Sequence, residues 1–319
     1  MKILVTGGAG FIGHGIVAKL ERQGHDVCVL DNFTNYNGIV PEREMSKLHQ
    51  ERLELITTKK IHRVDIRNHA ELTEVFAECR PDVVIHCAAY PRAKAVDQDP
   101  IEGSAVLIAG LINLLRLSEY YAVRRFVYVS SSMIYGDFHP IGYEDMRCNP
   151  TGIYGILKLT GEQLTRDHCE RTGIDHVILR PSAVYGPRDV RDRVVTKFLL
   201  AAMRGQELVV NGANEVLDFT YVDDCVRGIV RAANSFNSSG RTYNITRGSG
   251  RTLLEAAELA IKIVGSGTIR IAESNPLFPS RGTLSTIRAG MDFGYRGRVD
   301  IEQGFQLYYE WLKDSVLWR

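Results

Sequence analysis

Tyr154 and Lys158 stand four residues apart, and a little over twenty residues upstream of them run three consecutive serines, Ser130 to Ser132, followed by Met133. On a helix, positions i and i+4 share a face. A nearby ammonium favours the phenolate, and so lowers the pKa of a tyrosine that must exchange a proton with a hydroxyl near neutral pH. A serine at the carboxyl end of an adjacent parallel strand lies where open α/β sheets hold ligands. Together these residue types describe a hydride-transfer site, with Tyr154 as acid/base, Lys158 holding a ribose and tuning the phenol, and Ser131 binding the reacting oxygen. The pattern Tyr-x-x-x-Lys is uninformative alone, since it occurs three times. Tyr90 to Lys94 carries Pro91 in its middle, and Tyr309 to Lys313 belongs to the last helical segment. Only Tyr154 follows a hydroxyl-bearing strand end.

Such a site needs a hydride acceptor, and the N-terminus supplies the cradle for one. VTGGAGFIGHG follows an apolar strand and opens a helical pattern. Gly8, Gly10 and Gly13 match G-x-G-x-x-G, and Gly7 extends the pattern. Glycines there permit a tight turn and let backbone N–H groups meet a pyrophosphate at the positive end of the helix. Asp31 ends the second strand about 20 residues on, where a carboxylate accepts the adenosine ribose hydroxyls and repels a 2′-phosphate. The expected cofactor is NAD rather than NADP. A phosphate-binding P-loop is excluded, because His14-Gly15 stands where Lys-Ser/Thr is required.

The elements that must position these residues alternate. Strands are expected at Lys2 to Thr6, Asp26 to Leu30, Ile61 to Val64, Asp82 to Cys87, Phe126 to Ser130 and His176 to Leu179. Helices are expected near Phe11 to Gln23, His69 to Cys79, Ile101 to Tyr121 and Tyr154 to Thr172, the first and last stopped by Gly24 and Gly173. Continuous Val/Ile runs separated by helices imply a parallel sheet covered on both faces. After Arg180 the pattern loosens into a helix near Val194 to Met203, a strand at Leu208 to Val210, another at Asp218 to Val222, and a helix that Asp223-Asp224 would cap. A capping-box sequence, Thr252 to Glu255, opens one more helix. The fold class is thus α/β: a doubly wound parallel (Rossmann) sheet with a smaller mixed C-terminal lobe. Residues 1–180 and about 216–247 form the first unit; about 181–215 and 248–319 form the second. The charged insertion Pro41 to Arg52 reads as a solvated surface helix.

Bulk composition narrows the partners. A net charge of +1 with no Lys/Arg block excludes the basic footprint of a nucleic-acid binder. The longest apolar run, Ala105 to Leu117, is broken by Gly110, Asn113 and Arg116 and is too short to span a bilayer. The six cysteines show neither CxxC nor metal spacing and read as small core hydrophobes in a reducing compartment. No metal and a cytoplasmic location are expected.

With these residues in hand, the chain resembles the extended short-chain dehydrogenase/reductase family, specifically its nucleotide-sugar epimerases and dehydratases. TGGAGFIG, Asp31-Asn32, Asp65-Ile66, HCAAY at 86–90, SSSMIYG, Tyr154-x-x-x-Lys158, RPSAVYGPR at 180–188, DFTYVDD at 218–224 and YNI at 243–245 follow the family's order. The resemblance implies that Phe11 and Ile12 lie along the pyrophosphate, that Asp65 and Ile66 bracket the adenine, and that Cys87, Ala88, Ala89 and Pro181 line the cofactor. It places Ser131 at the catalytic hydroxyl, and Ser132 and Met133 where sugar 4,6-dehydratases carry Asp and Glu. Neither is an acid or base, so water elimination is disfavoured. Met133 also stands near the position of the cysteine acid/base in 3,5-epimerases, which disfavours that route as well. What remains is oxidation at one carbon, with Ser132 beside the substrate or, with Ser130, forming a turn. Three positions depart from the family: Leu217 replaces a diphosphate-binding arginine, Ala183 a phosphate-binding asparagine, and Leu107 an asparagine near the cofactor. Arg188, Arg191 and Arg193, with Arg281 at a family arginine, are candidates to supply the missing charge. The resemblance implies an NAD-dependent epimerase of a nucleotide-diphosphate sugar acting at C4, with a dehydrogenase or ketoreductase as the alternative and a non-catalytic NAD-binding regulator the remaining class. It also implies a homodimer, through the helices near 101–121 and 154–172.

Overall fold

The computed structural model describes residues 1–35, 40–90, 93–274 and 279–318; Pro91 lies outside them. Seven strands form one sheet: β1 Lys2–Thr6, β2 Asp26–Asp31, β3 Ile61–Arg63, β4 Val83–His86, β5 Arg125–Val129, β6 Asp175–Pro181 and β7 Arg241–Ile245. Across the sheet they run β7-β6-β5-β4-β1-β2-β3, every neighbouring pair parallel. The winding reverses between β1 and β4, which opens a crevice at the carboxyl ends of the strands.

Alternate residues of each strand point to opposite faces. Ile3 and Val5 of β1 join a core with helices α1 (Gly13–Arg22) and α7 (Val222–Asn234), whereas Leu4 joins the opposite core. That second core is covered by α3 (His69–Cys79), α4 (the helical run Pro100–Tyr120) and α5 (Gly152–Thr172). By length and composition α4 could cross a membrane, but its Leu107, Leu111, Leu114 and Leu115 are buried against the sheet. Its middle, Ala105–Ala109, is a π turn, and Leu107 within it is 2% exposed.

Further elements form a separate apolar core. It gathers Leu48 of α2 (Glu42–Leu53), Phe198 of α6 (Val194–Met203), Ala256 of α8 (Leu253–Val264) and Phe305 of α9 (Ile301–Asp314). Thr252 and Glu255 close the expected capping box at the start of α8. Two further strands, Glu207–Asn211 and Thr268–Ala272, pair in parallel there.

Three sequence expectations need correction. The insertion Pro41 to Arg52 is helical but not a solvated face: Met45, Leu48 and Arg52 are buried, because that helix packs against this separate core. Asp223-Asp224 do not cap α7, which starts at Val222 with Tyr221 in the capping position; Asp224 instead accepts the backbone N–H groups of Arg298 and Val299. Cys28 and Cys79 are not separate thiols, since β2 and the end of α3 bring them into a disulfide.

Candidate functional site

The crevice holds two adjoining cavities. The smaller, about 210 Å³, is lined by Gly7, Gly10, Phe11, Ile12, Gly13, Asp31, Asn32, Asp65, Ile66, Cys87, Ala88 and Ala89. The larger, about 1110 Å³, takes in Ser131, Ser132, Met133, Tyr154, Lys158, Pro181, Arg191 and Arg281. Phe11, Ile12, Cys87, Ala89, Val129 and Arg193 line both, so they mark the neck between them.

Steric limits explain the glycines of the smaller cavity. Gly7 has φ +68°, and a Cβ on it would lie 2.7 Å from the Ala88 nitrogen. A Cβ on Gly13 would lie 2.0 Å from the Gly7 carbonyl oxygen, so the turn and α1 can approach only if that position is bare. No side chain caps α1, and although the His14 N–H donates to the Gly10 carbonyl, the positive end of the helix faces the cavity. Beside them His14 is buried and pushed down to about 4, chiefly by desolvation, so it stays neutral. At the end of β2 the Asp31 carboxylate accepts the N–H groups of Ala9, at 3.0 Å, and Phe33, at 2.8 Å. Burial pushes its pKa up, those hydrogen bonds opposing. Asp65 is held ionised, down to about 2, mainly by its hydrogen bonds from Arg67; its Oδ2 also accepts from Asn32 at 3.0 Å. A glycine cradle at the positive end of a helix, with the Asp31 carboxylate some way along the same sheet edge, fits a dinucleotide with free ribose hydroxyls.

The roof over this cavity comes from segments that sequence reading did not flag. Met45, His49 and Arg52 of α2, with Asp189 and Val190, line it from the other side. The Arg52 guanidinium, 2% exposed, donates through Nη2 to the Arg188 carbonyl at 2.7 Å. Arg191 Nε donates to Glu44 Oε2 at 2.7 Å. Two charged latches therefore tie α2 to the loop after β6.

In the larger cavity the three serines separate. Ser131 is the one that caps a turn, its Oγ accepting the Met133 N–H at 3.2 Å. With a lone pair so engaged, the hydroxyl proton is directed elsewhere, and the phenol of Tyr154 lies within its reach. Ser132 does not close a turn through its side chain: its hydroxyl donates to Ser182 Oγ at 3.0 Å and receives Arg281 Nη1 at 3.5 Å. Met133 is nearly buried in the cavity wall.

Lys158 corrects the expected electrostatics. Its ammonium donates to the Val129 carbonyl at 2.9 Å and sits 5.2 Å from the Tyr128 ring centroid. Burial lowers it to about 8, against the pull of Cys87 and Glu162. Tyr154 is raised by burial rather than lowered, and the cation that pulls it back is Arg193, with the Ser131 hydrogen bond acting in the same sense. Arg193 lies at the neck with its Nε buried and without a hydrogen bond, 3.7 Å from Asp189 Oδ1.

The other arginines divide. Arg281 lines the larger cavity, and burial lowers it to about 10. Arg191 lines it too, but its fork is held by Glu44. Arg188 lines neither cavity, so the structure does not bring it to the expected substrate site; its charge acts on His14, Tyr221 and Asp223. Leu217 and Ala183 line the larger cavity where the family's arginine and asparagine are expected, while Leu107 lies in the core.

A doubly wound sheet with a glycine cradle, a carboxylate at the end of the second strand and a serine, tyrosine and lysine lining the adjoining cavity defines a dinucleotide-dependent class of protein. The chain belongs to the NAD-dependent epimerase/dehydratase family, whose model matches residues 3–246. A putative UDP-glucose 4-epimerase of Methanocaldococcus jannaschii is 29% identical, over 98% of this chain and 99% of that one. Among solved structures, UDP-glucuronic acid 4-epimerase from Bacillus cereus, in complex with UDP-glucuronic acid and NAD, matches with TM-score 0.89 and 29% identity, over 98% of this chain and 99% of that one. UDP-glucose 4-epimerase of Thermus thermophilus, in complex with NAD, matches with TM-score 0.87 and 28% identity, over 99% of this chain and 100% of that one.

Proposed function

We propose that the protein is an NAD-dependent epimerase of a nucleotide-diphosphate sugar, acting at C4 through a transient 4-keto sugar. The observation that carries this reading is the wall of the larger cavity: Ser131 and Tyr154 meet in it, while the two positions after Ser131 are Ser132, occupied with Ser182, and Met133. One proton-transfer group at the reacting carbon suffices for oxidation and reduction there; elimination needs a second. Bound NAD supplies the hydride acceptor and donor. Tyr154 accepts the proton of the C4 hydroxyl and returns it, Ser131 donates to the same oxygen, and Lys158 is held by the Val129 carbonyl at the cofactor side. Arg193 favours the phenolate that this exchange requires. Arg281, buried and with its Nε free, is the cation best placed for the diphosphate.

Incubation with UDP-hexoses and UDP-hexuronates tests the reading. Interconversion of C4 epimers without added NAD is the expected result; steady accumulation of NADH with a keto or oxidised product would instead make the protein a dehydrogenase. We further propose a homodimer through α4 and α5, where Ile101, Ile112, Tyr120, Ile153 and Ile156 are exposed. Sedimentation should give twice the chain mass, and charged substitutions at Ile112 and Ile156 should return a monomer.

A further inference from the structure

We propose that Cys28, Cys79 and His62 form a redox-active disulfide site that takes a dithiol as reductant, and whose oxidation state sets how firmly the adenosine end of the cleft is held. Cys28 lies in β2, three residues before Asp31, and Cys79 is the last residue of α3. Their Cα atoms are 6.4 Å apart, within the span a disulfide bridges. His62 of β3, paired across the ladder with Leu30, places Nε2 3.5 Å from Cys79 Sγ. Its other nitrogen lies 3.9 Å from a Glu78 carboxylate oxygen. The cysteines are 3% and 4% exposed, and the imidazole, at 16%, forms the solvent side of the group.

Two cysteines and one histidine within 4.8 Å could also be read as a metal site. A structural zinc takes four ligands, and among the described residues three are grouped here, two of them joined to each other.

Reduction balances as follows. A thiolate of the dithiol attacks Cys28 Sγ, the bond to Cys79 breaks, and its electron pair stays on Cys79 Sγ beside His62. The second thiolate then breaks the mixed disulfide, leaving Cys28 as a thiol; the dithiol closes to a disulfide, having given two electrons, and two protons end on the two cysteines.

The bond joins positions 51 residues apart, and the loop it closes carries Asp31, Asn32, His49, Arg52, Asp65 and Ile66. These residues form the adenosine wall of the smaller cavity, so this coupling rests on the assignment of that cavity to NAD. Cutting the bond frees α3 from β2 and loosens the frame that holds that wall.

The test uses the full chain, purified without reductant and equilibrated with oxidised glutathione or with dithiothreitol. Alkylation under denaturing conditions should label Cys87, Cys148, Cys169 and Cys225 in the oxidised sample, with a linked Cys28–Cys79 peptide, and all six cysteines in the reduced one. NAD retained after gel filtration should fall several-fold on reduction. His62→Gln should slow reduction by dithiothreitol roughly threefold or more, as the leaving thiolate loses its partner. Six labelled cysteines in the oxidised sample, or one zinc per chain, would overturn the site. Equal NAD retention in both states would overturn the coupling. Absence of dinucleotide in both states, with the linked peptide present, would count against the NAD assignment and leave the disulfide standing.

Discussion

The two halves of the crevice recognise their ligands by different means. The smaller cavity rests on backbone at its floor, where bare glycines approach the turn before α1, with the carboxylates of Asp31 and Asp65 to one side. The larger is built from side chains drawn from β5, α5, α6, and the loops around 183–193 and 279–281. Backbone recognition admits few substitutions, since a Cβ at Gly13 has nowhere to go. Side-chain recognition can exchange partners, and Leu217 and Ala183 stand among the lining residues beside Arg281 and Arg193.

The sharpest way to break this contrast is at the cradle. Gly13→Ala should reduce bound dinucleotide at least tenfold and abolish epimerisation, since the new Cβ falls 2.0 Å from the Gly7 oxygen. Dinucleotide released on denaturation measures it, and normal stoichiometry would remove the cradle from the cofactor site. Tyr154→Phe should lower turnover by about 10²–10⁴ with bound NAD unchanged, as expected for loss of a proton-transfer group alone. A smaller effect is expected on the other side of the neck: Arg281→Ala should weaken sugar-nucleotide binding roughly tenfold or more, the scale of a charge-assisted hydrogen bond. Its NAD content should stay intact, and a parallel loss of NAD would show that the halves are not separable. Arg193→Gln tests the electrostatics through pH. A cation favours the phenolate, so its removal raises the Tyr154 pKa, and the rise of kcat with pH should move to higher pH. An unmoved profile would return the tuning role to Lys158. Least of all, Leu217→Arg should lower KM a few-fold if the diphosphate lies alongside that strand.

Sequence reasoning read the first half well and the second poorly, for the same physical reason. The helix from His69 to Cys79 and the strand from Lys2 to Thr6 are local patterns, and the cradle is a contiguous motif. Lys158 lies on a helix with Tyr154, as their spacing implies, but its bond to the Val129 carbonyl depends on β5, which no spacing within α5 encodes. Arg188 and Arg193 are equal candidates as residue types, and only the fold separates them, since Arg193 lines both cavities and Arg188 lines neither. Arg52 was hidden in a charged run, although Met45 and Leu48, seven and four residues before it, mark a buried stripe that argues against a solvated helix. The disulfide was invisible because its cysteines are 51 residues apart and meet only once α3 packs on the sheet.

The two latches between α2 and the loop after β6 join positions 136 and 147 residues distant along the chain. While both latches hold, these two distant stretches of chain are joined as one cover over the smaller cavity. A protease nick in either segment should release its distant counterpart as well, and the dwell time of whatever lies beneath would shorten accordingly.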